Sequence, residues 1–210
     1  MKVIYGGTFD PIHHGHLRLA VELLDRLGVP EIALMPCHIP PHRESPGASS
    51  DLRLELLQLA VADEPGLVID DRELVREGAS YTADTLRQIR EEIGPDEPLA
   101  MVVGTDSFAG FDRWQEWRRI PELAHIIVVV RPGSDIPGES AAADLLSVRA
   151  AESVDELYNS ANGRILVLEL PLMDVSATGI RERIAHGRSP RYLIPDSVWR
   201  RIRDSGLYGA

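Results

Sequence analysis

Residues Gly6-Gly7-Thr8-Phe9-Asp10-Pro11-Ile12-His13-His14-Gly15-His16 follow a short apolar run at the N-terminus, and their reading decides the fold. Small residues, a hydroxyl and closely spaced imidazoles stand where a strand should give way to a helix. Glycine lets backbone approach a ligand closely. A helix start offers unpaired N–H groups and the positive end of its dipole. Together these make a phosphate site. His13 and His16, at i and i+3, add side-chain donors on one face, and His14 falls outside that pair. Such a combination in so short a stretch points to nucleotide chemistry.

The flanking sequence gives this turn its context. Lys2 to Tyr5 read as a buried strand. Leu17, Ala20, Val21, Leu24 and Leu27 recur at helical spacing, predicting a helix from His16 to Leu27 that Gly28 stops. Further strands are expected over 31–35, 67–70, 99–103, 125–130 and 164–169. Helices are expected from Asp51 as cap, with Leu52, Leu56, Leu59 and Ala60 on its apolar face, from Thr82 to Gly94, from about 178 to 185 and from 196 to 204. Residues 36–50 read as a long loop, and 134–163 resist assignment. Strands alternate with helices and are apolar on both faces, which predicts an α/β chain with a Rossmann-like doubly wound parallel sheet and helices on both faces. No repeat or linker divides the 210 residues, so one domain is expected, with a C-terminal helical part from about 176. Ligands of such sheets bind beyond the C-terminal strand ends. The glycine loop, Gly104-Thr105-Asp106 and Val175-Ser176-Ala177-Thr178 are all expected at that edge.

Bulk properties narrow the function. The formal net charge is −11, which argues against general nucleic-acid binding but allows a local cationic site for a small anion. Lys2 is the sole lysine, so arginine carries nearly all positive charge. No apolar run approaches the ~20 residues of a membrane helix. The N-terminus has no basic-then-apolar leader pattern, and Cys37 stands alone, so a cytoplasmic location is expected. No membrane partner is expected, and self-association is left open.

Two chemistries compete for the histidines. His13 and His16 could bind zinc, with Cys37, His38 and His42 as further ligands. Cys37 and His38 are adjacent, however, and lack the usual ligand spacing. A glycine-rich strand–helix turn suits phosphate better, so no metal ligand is assigned. Ser176 and Thr178 stand at a helix start, where N-capping alone would explain them. Arg181, one turn on, adds a cation that can clamp phosphate. Trp114 offers a face for a flat ring or a piece of core, and Trp117 reads as packing.

The opening stretch resembles the nucleotidyltransferase signature with its His-x-Gly-His core. Pro40-Pro41-His42-Arg43, Ser80-Tyr81-Thr82-Ala83-Asp84-Thr85-Leu86, Gly104-x-Asp106, Trp114, Ser176-Ala177-Thr178-x-Ile180-Arg181 and Gly206-Leu207-Tyr208 are similar, in order and over about the whole chain, to bacterial nicotinate-nucleotide adenylyltransferases. Ala177 departs from the second serine that many members carry. The resemblance implies adenylyl transfer from ATP to nicotinate mononucleotide in NAD biosynthesis, with Mg²⁺ carried by ATP. It implies ATP contacts from Gly7, Thr8, Phe9, His13, His16, Ser176, Thr178, Ile180 and Arg181, of which His13, His16 and Arg181 would be catalytic. It assigns Trp114 and Thr85 to the mononucleotide, with Tyr81 and Thr82 lining the same turn as Thr85. Placement after a strand reads Gly104 and Asp106 as a sugar site, and the long loop puts His42 and Arg43, with Arg131 beyond another strand, where they could reach the mononucleotide phosphate. Three other readings are transfer to another phosphate such as phosphopantetheine, a non-catalytic nucleotide sensor, and a zinc hydrolase.

Overall fold

The computed structural model describes residues 1–38, 46–76, 78–130, 136 and 138–210. In chain order the elements are β1 (Lys2–Gly7), α1 (His14–Leu27), β2 (Ile32–Pro36), α2 (Ser50–Val61), β3 (Leu67–Ile69), α3 (Thr82–Ile93), β4 (Leu99–Gly104), α4 (Thr105–Ala109), α5 (Ile120–Leu123), β5 (His125–Val129), α6 (Ala141–Arg149), β6 (Ala150–Ala151), α7 (Asp155–Tyr158), β7 (Ile165–Leu168), α8 (Ala177–Ala185) and α9 (Asp196–Ser205). They divide into two compact units, Met1–Gly6 with Ser80–Leu170, and Gly7–Ala79 with Pro171–Ala210.

The first unit is built on parallel strands in the order β1-β4-β5-β7-β6. Lys2 pairs with Leu99, Ala100 with His125 and Ile126 with Ile165. Val102 and Ile127 are buried, as are their strand neighbours, because helical crossovers cover both faces of a parallel sheet. Arg90, in α3, binds loops under this sheet. Its Nη2 donates to the carbonyls of Leu123 at 2.7 Å and Ala161 at 3.0 Å, and its Nη1 to those of Gly94 at 3.0 Å and Glu97 at 2.6 Å.

In the second unit β2 and β3 pair in parallel, Ile32 opposite Leu67. α9 lies on α2, where Arg201 makes a bidentate ion pair with Glu55 at 2.6 and 2.8 Å and Ser197 Oγ donates to the Leu59 carbonyl at 3.0 Å. Hydrogen bonding to Arg201 lowers the Glu55 pKa.

The doubly wound α/β class read from the alternation is the one observed, and three local expectations change. α1 buries Leu19, Ala20, Leu23 and Leu27, a face rotated from the one read off Leu17 and Val21. α2 is capped by Ser49, whose side chain accepts from Leu52 N, and not by Asp51. It buries Arg53, Leu56, Leu57 and Val61, leaving Leu59 exposed. The unassigned 134–163 stretch contains α6, β6 and α7, two of them four residues or fewer, too short to show a period.

Candidate active site

The glycine loop lies in the second unit. Phe9 is buried in a left-handed conformation, φ 48°, which only packing sustains in a bulky residue. Its ring lies under Gly7, where a Cβ would come within 2.8 Å of Phe9 Cε1. The Asp10–Pro11 peptide is cis. The chain then enters α1 with His13 as N-cap: its Nδ1 accepts from His16 N at 3.3 Å. An accepting Nδ1 puts the proton on Nε2 in the neutral ring, so His13 presents an N–H from its outer nitrogen. The His13 and His16 rings stack at 3.6 Å between centroids, 20° apart in plane, and Phe9 meets His16 edge-on at 5.1 Å. Gly15 makes this possible, because a Cβ there would stand 3.0 Å from the His13 ring and 3.4 Å from the Val175 carbonyl oxygen. The expected imidazole pair is therefore brought together on the first turn of α1. His14 is partly buried, and its N–H bonds the Leu193 carbonyl at 2.9 Å.

α8 carries the second set. Ser176 caps it, accepting from Gly179 N at 3.1 Å, and both Ser176 and Thr178 are exposed. Ile180 is buried in the packing. Arg181 reaches the glycine loop: Nη1 donates to the Asp10 carbonyl at 2.7 Å, and Nη2 to Thr178 Oγ1 at 3.3 Å. Loop and helix thus present two imidazoles and a guanidinium within one unit, a set of donors suited to phosphate oxygens.

Sequence reasoning missed the residues that hold this arrangement. Asp10 is almost fully buried and accepts from Gly47 N, Ala48 N and the Tyr208 hydroxyl. Arg53 is fully buried, with Nη1 on the Thr8 carbonyl at 2.8 Å and Nη2 on the His38 carbonyl at 3.0 Å and Ser50 Oγ at 3.1 Å. Cys37 Sγ lies 3.7 Å from Thr8 Oγ1, and its N–H donates to the Gly7 carbonyl at 3.0 Å. Among the described residues no three His, Cys, Asp or Glu side chains converge on a metal position.

The first unit holds the remaining described candidates. Gly104 ends β4 and caps α4, and Asp106 is exposed on the first turn of that helix. Tyr81 is the N-cap of α3 and makes no side-chain capping bond, Thr82 is its first residue, and Thr85 is 1% exposed. Trp114 is half-buried against Phe111, centroids 5.3 Å apart. Trp117 also packs on Phe111, at 6.3 Å, and carries Arg118 over its ring at 4.4 Å. A tie not foreseen joins these elements: Arg87 of α3 pairs with Asp84 at 2.7 Å and also with Glu116, beside the tryptophans. His42, Arg43 and Arg131 lie outside the described residues.

The cytidylyltransferase-like family model matches residues 4–183, which places the chain in that class of nucleotidyltransferases. A Marinobacter nauticus protein named "Probable nicotinate-nucleotide adenylyltransferase" is 62% identical over 210 residues, covering 100% of this chain and 97% of that protein. One of the same name from Cellvibrio japonicus is 49% identical over 205 residues, covering 98% and 97%. The chain belongs to the nicotinate-nucleotide adenylyltransferase family. The solved nicotinic acid mononucleotide adenylyltransferase of Plasmodium falciparum, complexed with NaAD, matches with a TM-score of 0.75 at 17% identity, over 99% of this chain and 98% of that one. At that identity the likeness is one of fold.

Proposed function

We propose that this protein transfers the adenylyl group of ATP to nicotinate mononucleotide, forming nicotinate adenine dinucleotide and pyrophosphate in NAD biosynthesis. The observation that carries the reading is the stacked His13–His16 pair on the first turn of α1, with Arg181 bonded to the same loop. An oxygen of the mononucleotide phosphate attacks the α-phosphorus of ATP in line. The bond from that phosphorus to the bridging oxygen breaks, and pyrophosphate leaves with the electron pair. No side chain need become covalently attached, so the protein's work is positioning and charge stabilisation. The His13 and His16 N–H groups and the α1 dipole act on phosphate oxygens, while Arg181 grips the leaving end with Ser176 and Thr178 beside it. Gly7, Thr8 and Phe9 supply backbone against the nucleotide, and Ile180 supports the adenosine side from the packed face of α8.

Magnesium lowers the charge of the triphosphate. Asp10, the carboxylate in the loop, is already held by three donors, and imidazole and guanidinium are poor ligands for a hard cation. We therefore assign the metal to the nucleotide and water, and no step to a protein-bound ion.

For the acceptor we assign Trp114 to stack on the pyridine ring. Tyr81, Thr82 and Thr85 lie at the start of α3, where Tyr81 makes no side-chain capping bond and a helix N-terminus suits a carboxylate. Gly104 and Asp106 are assigned to the sugar, and His42, Arg43 and Arg131 to the mononucleotide phosphate. The family model runs through segments of both units, which supports one nucleotidyltransferase domain over 1–210. A chain with one cysteine suits a reducing cytoplasm.

The test is phosphorus NMR of the products, which should show the mixed anhydride of the dinucleotide and free pyrophosphate. His16→Ala should cut turnover by about 100-fold or more with the fold intact. A near-normal kcat would remove His16 from the mechanism.

A further inference from the structure

We propose that Asp10 and Tyr208 are positioning residues for Arg181, so that the C-terminal turn sets the guanidinium that grips ATP; this rests on the phosphate-clamp role given to Arg181 above. Three donors surround the Asp10 carboxylate, which is 5% exposed. Tyr208 Oη donates to Oδ1 at 2.6 Å, Ala48 N to Oδ1 at 3.1 Å and Gly47 N to Oδ2 at 2.7 Å. So many donors on one small group fix its rotamer and draw off its charge, which would otherwise oppose a triphosphate. Against this fixed group stands Arg181, with Nη1 2.7 Å from the Asp10 carbonyl oxygen and 3.7 Å from Oδ2. About a third of the Arg181 side chain remains exposed, 34%, so these contacts aim the guanidinium without enclosing it.

Tyr208 is suited to this task. Burial first, then its bond to Asp10, pushes its phenol up, so it remains a donor throughout the working pH range. The ring comes from a turn with a left-handed backbone at Gly206, φ 65°, and at Tyr208 itself, φ 60°. It lies over Gly47, where a Cβ would be 3.1 Å from Tyr208 Cε1. A side chain at residue 47 would thus press on the ring while its N–H holds Asp10. These contacts join residues 171 and 198 positions apart.

A double-mutant cycle tests this, read by calorimetric binding of a non-hydrolysable ATP analogue and by steady-state kinetics on the full chain. Tyr208→Phe should weaken ATP binding by about tenfold, raising KM for ATP more than it lowers kcat. Arg181→Lys should weaken binding at least as much. In the double variant Tyr208→Phe should add less than about twofold, because its effect passes through Arg181. Fully multiplicative losses, or unchanged ATP binding in Tyr208→Phe, would overturn the proposal. Should Tyr208→Phe not fold, Asp10→Asn takes its place in the cycle, with the same losses expected. If Arg181→Lys binds ATP normally, the clamp and this proposal fall together. If the cycle couples but no dinucleotide forms, only the reading of the acceptor fails.

Discussion

Arg53 of α2 donates from Nη1 to the backbone carbonyl of Thr8 at 2.8 Å, a buried cation fastening the glycine loop. Its other nitrogen holds the His38 carbonyl just past β2. The guanidinium satisfies two carbonyls that helix or sheet would normally pair. Arg53→Met keeps the stem and leaves both carbonyls without this donor. Each such loss costs about 1–3 kcal/mol, so the urea midpoint should fall clearly and KM for ATP should rise. Unchanged values of both would mean the loop holds its shape without Arg53.

Gly15→Ala separates stability from function. Alanine favours a helix by about 0.8–1 kcal/mol over glycine, yet its Cβ would press on the His13 ring from 3.0 Å. The ring has to give by a few tenths of an ångström, which disturbs the Nδ1 cap and the His13–His16 stack. The expected outcome is a melting temperature within a few degrees of the parent and kcat/KM for ATP down by about tenfold or more. A variant with full activity would show that the stacked geometry is dispensable.

Trp114 and Trp117 share a buried neighbour, Phe111, and only Trp114 is assigned to the acceptor. Trp114→Ala should raise KM for the mononucleotide more than KM for ATP, whereas Trp117→Ala should act chiefly on stability. Glu116→Gln weakens the pair with Arg87 and should follow Trp114→Ala in kind, at smaller size. Equal effects of Trp114→Ala on both substrates would identify a structural tryptophan.

His125 gives a pH dependence with a definite sign. The ring is fully buried, its Nε2 donating to the Ser160 carbonyl at 2.9 Å and its Nδ1 accepting from Arg164 N at 3.0 Å. Burial lowers its pKa; the carbonyl contact opposes this, and the charges of Arg90 and Arg164 add to the lowering. The unfolded chain therefore takes up this proton first. Stability from this group is complete above about pH 6.5 and falls as pH drops below it, by at most about 1.4 kcal/mol per pH unit. Urea midpoints between pH 7.5 and 5.5 should show a fall that is smaller in His125→Asn. An equal fall in both proteins would assign the effect to other groups.

The fold was legible because parallel strands buried on both faces read as apolar runs, and the glycine loop marked the first turn. The imidazole pair was legible from its spacing alone. The supports were not. Arg53 sits on the buried face of α2, where a hydrophobic pattern looks for leucine, and its bonds to the Thr8 and His38 carbonyls and Ser50 Oγ explain it. Asp10 lies within the quoted signature, but its partner Tyr208 is 198 residues away, and no local pattern carries such a contact. His13 as a helix cap was hidden because imidazole is not among the usual capping side chains.

Pyrophosphate release from ATP, measured against a panel of phosphorylated acceptors, decides which acceptor this enzyme uses. The panel is nicotinate mononucleotide, nicotinamide mononucleotide and phosphopantetheine, each with magnesium present. Release should be rapid with nicotinate mononucleotide, kcat/KM for the amide should be lower by about tenfold or more because a carboxylate is what the start of α3 suits, and phosphopantetheine should give no release. Equal kcat/KM for acid and amide would contradict the assignment of Tyr81, Thr82 and Thr85, and release with phosphopantetheine alone would contradict the function.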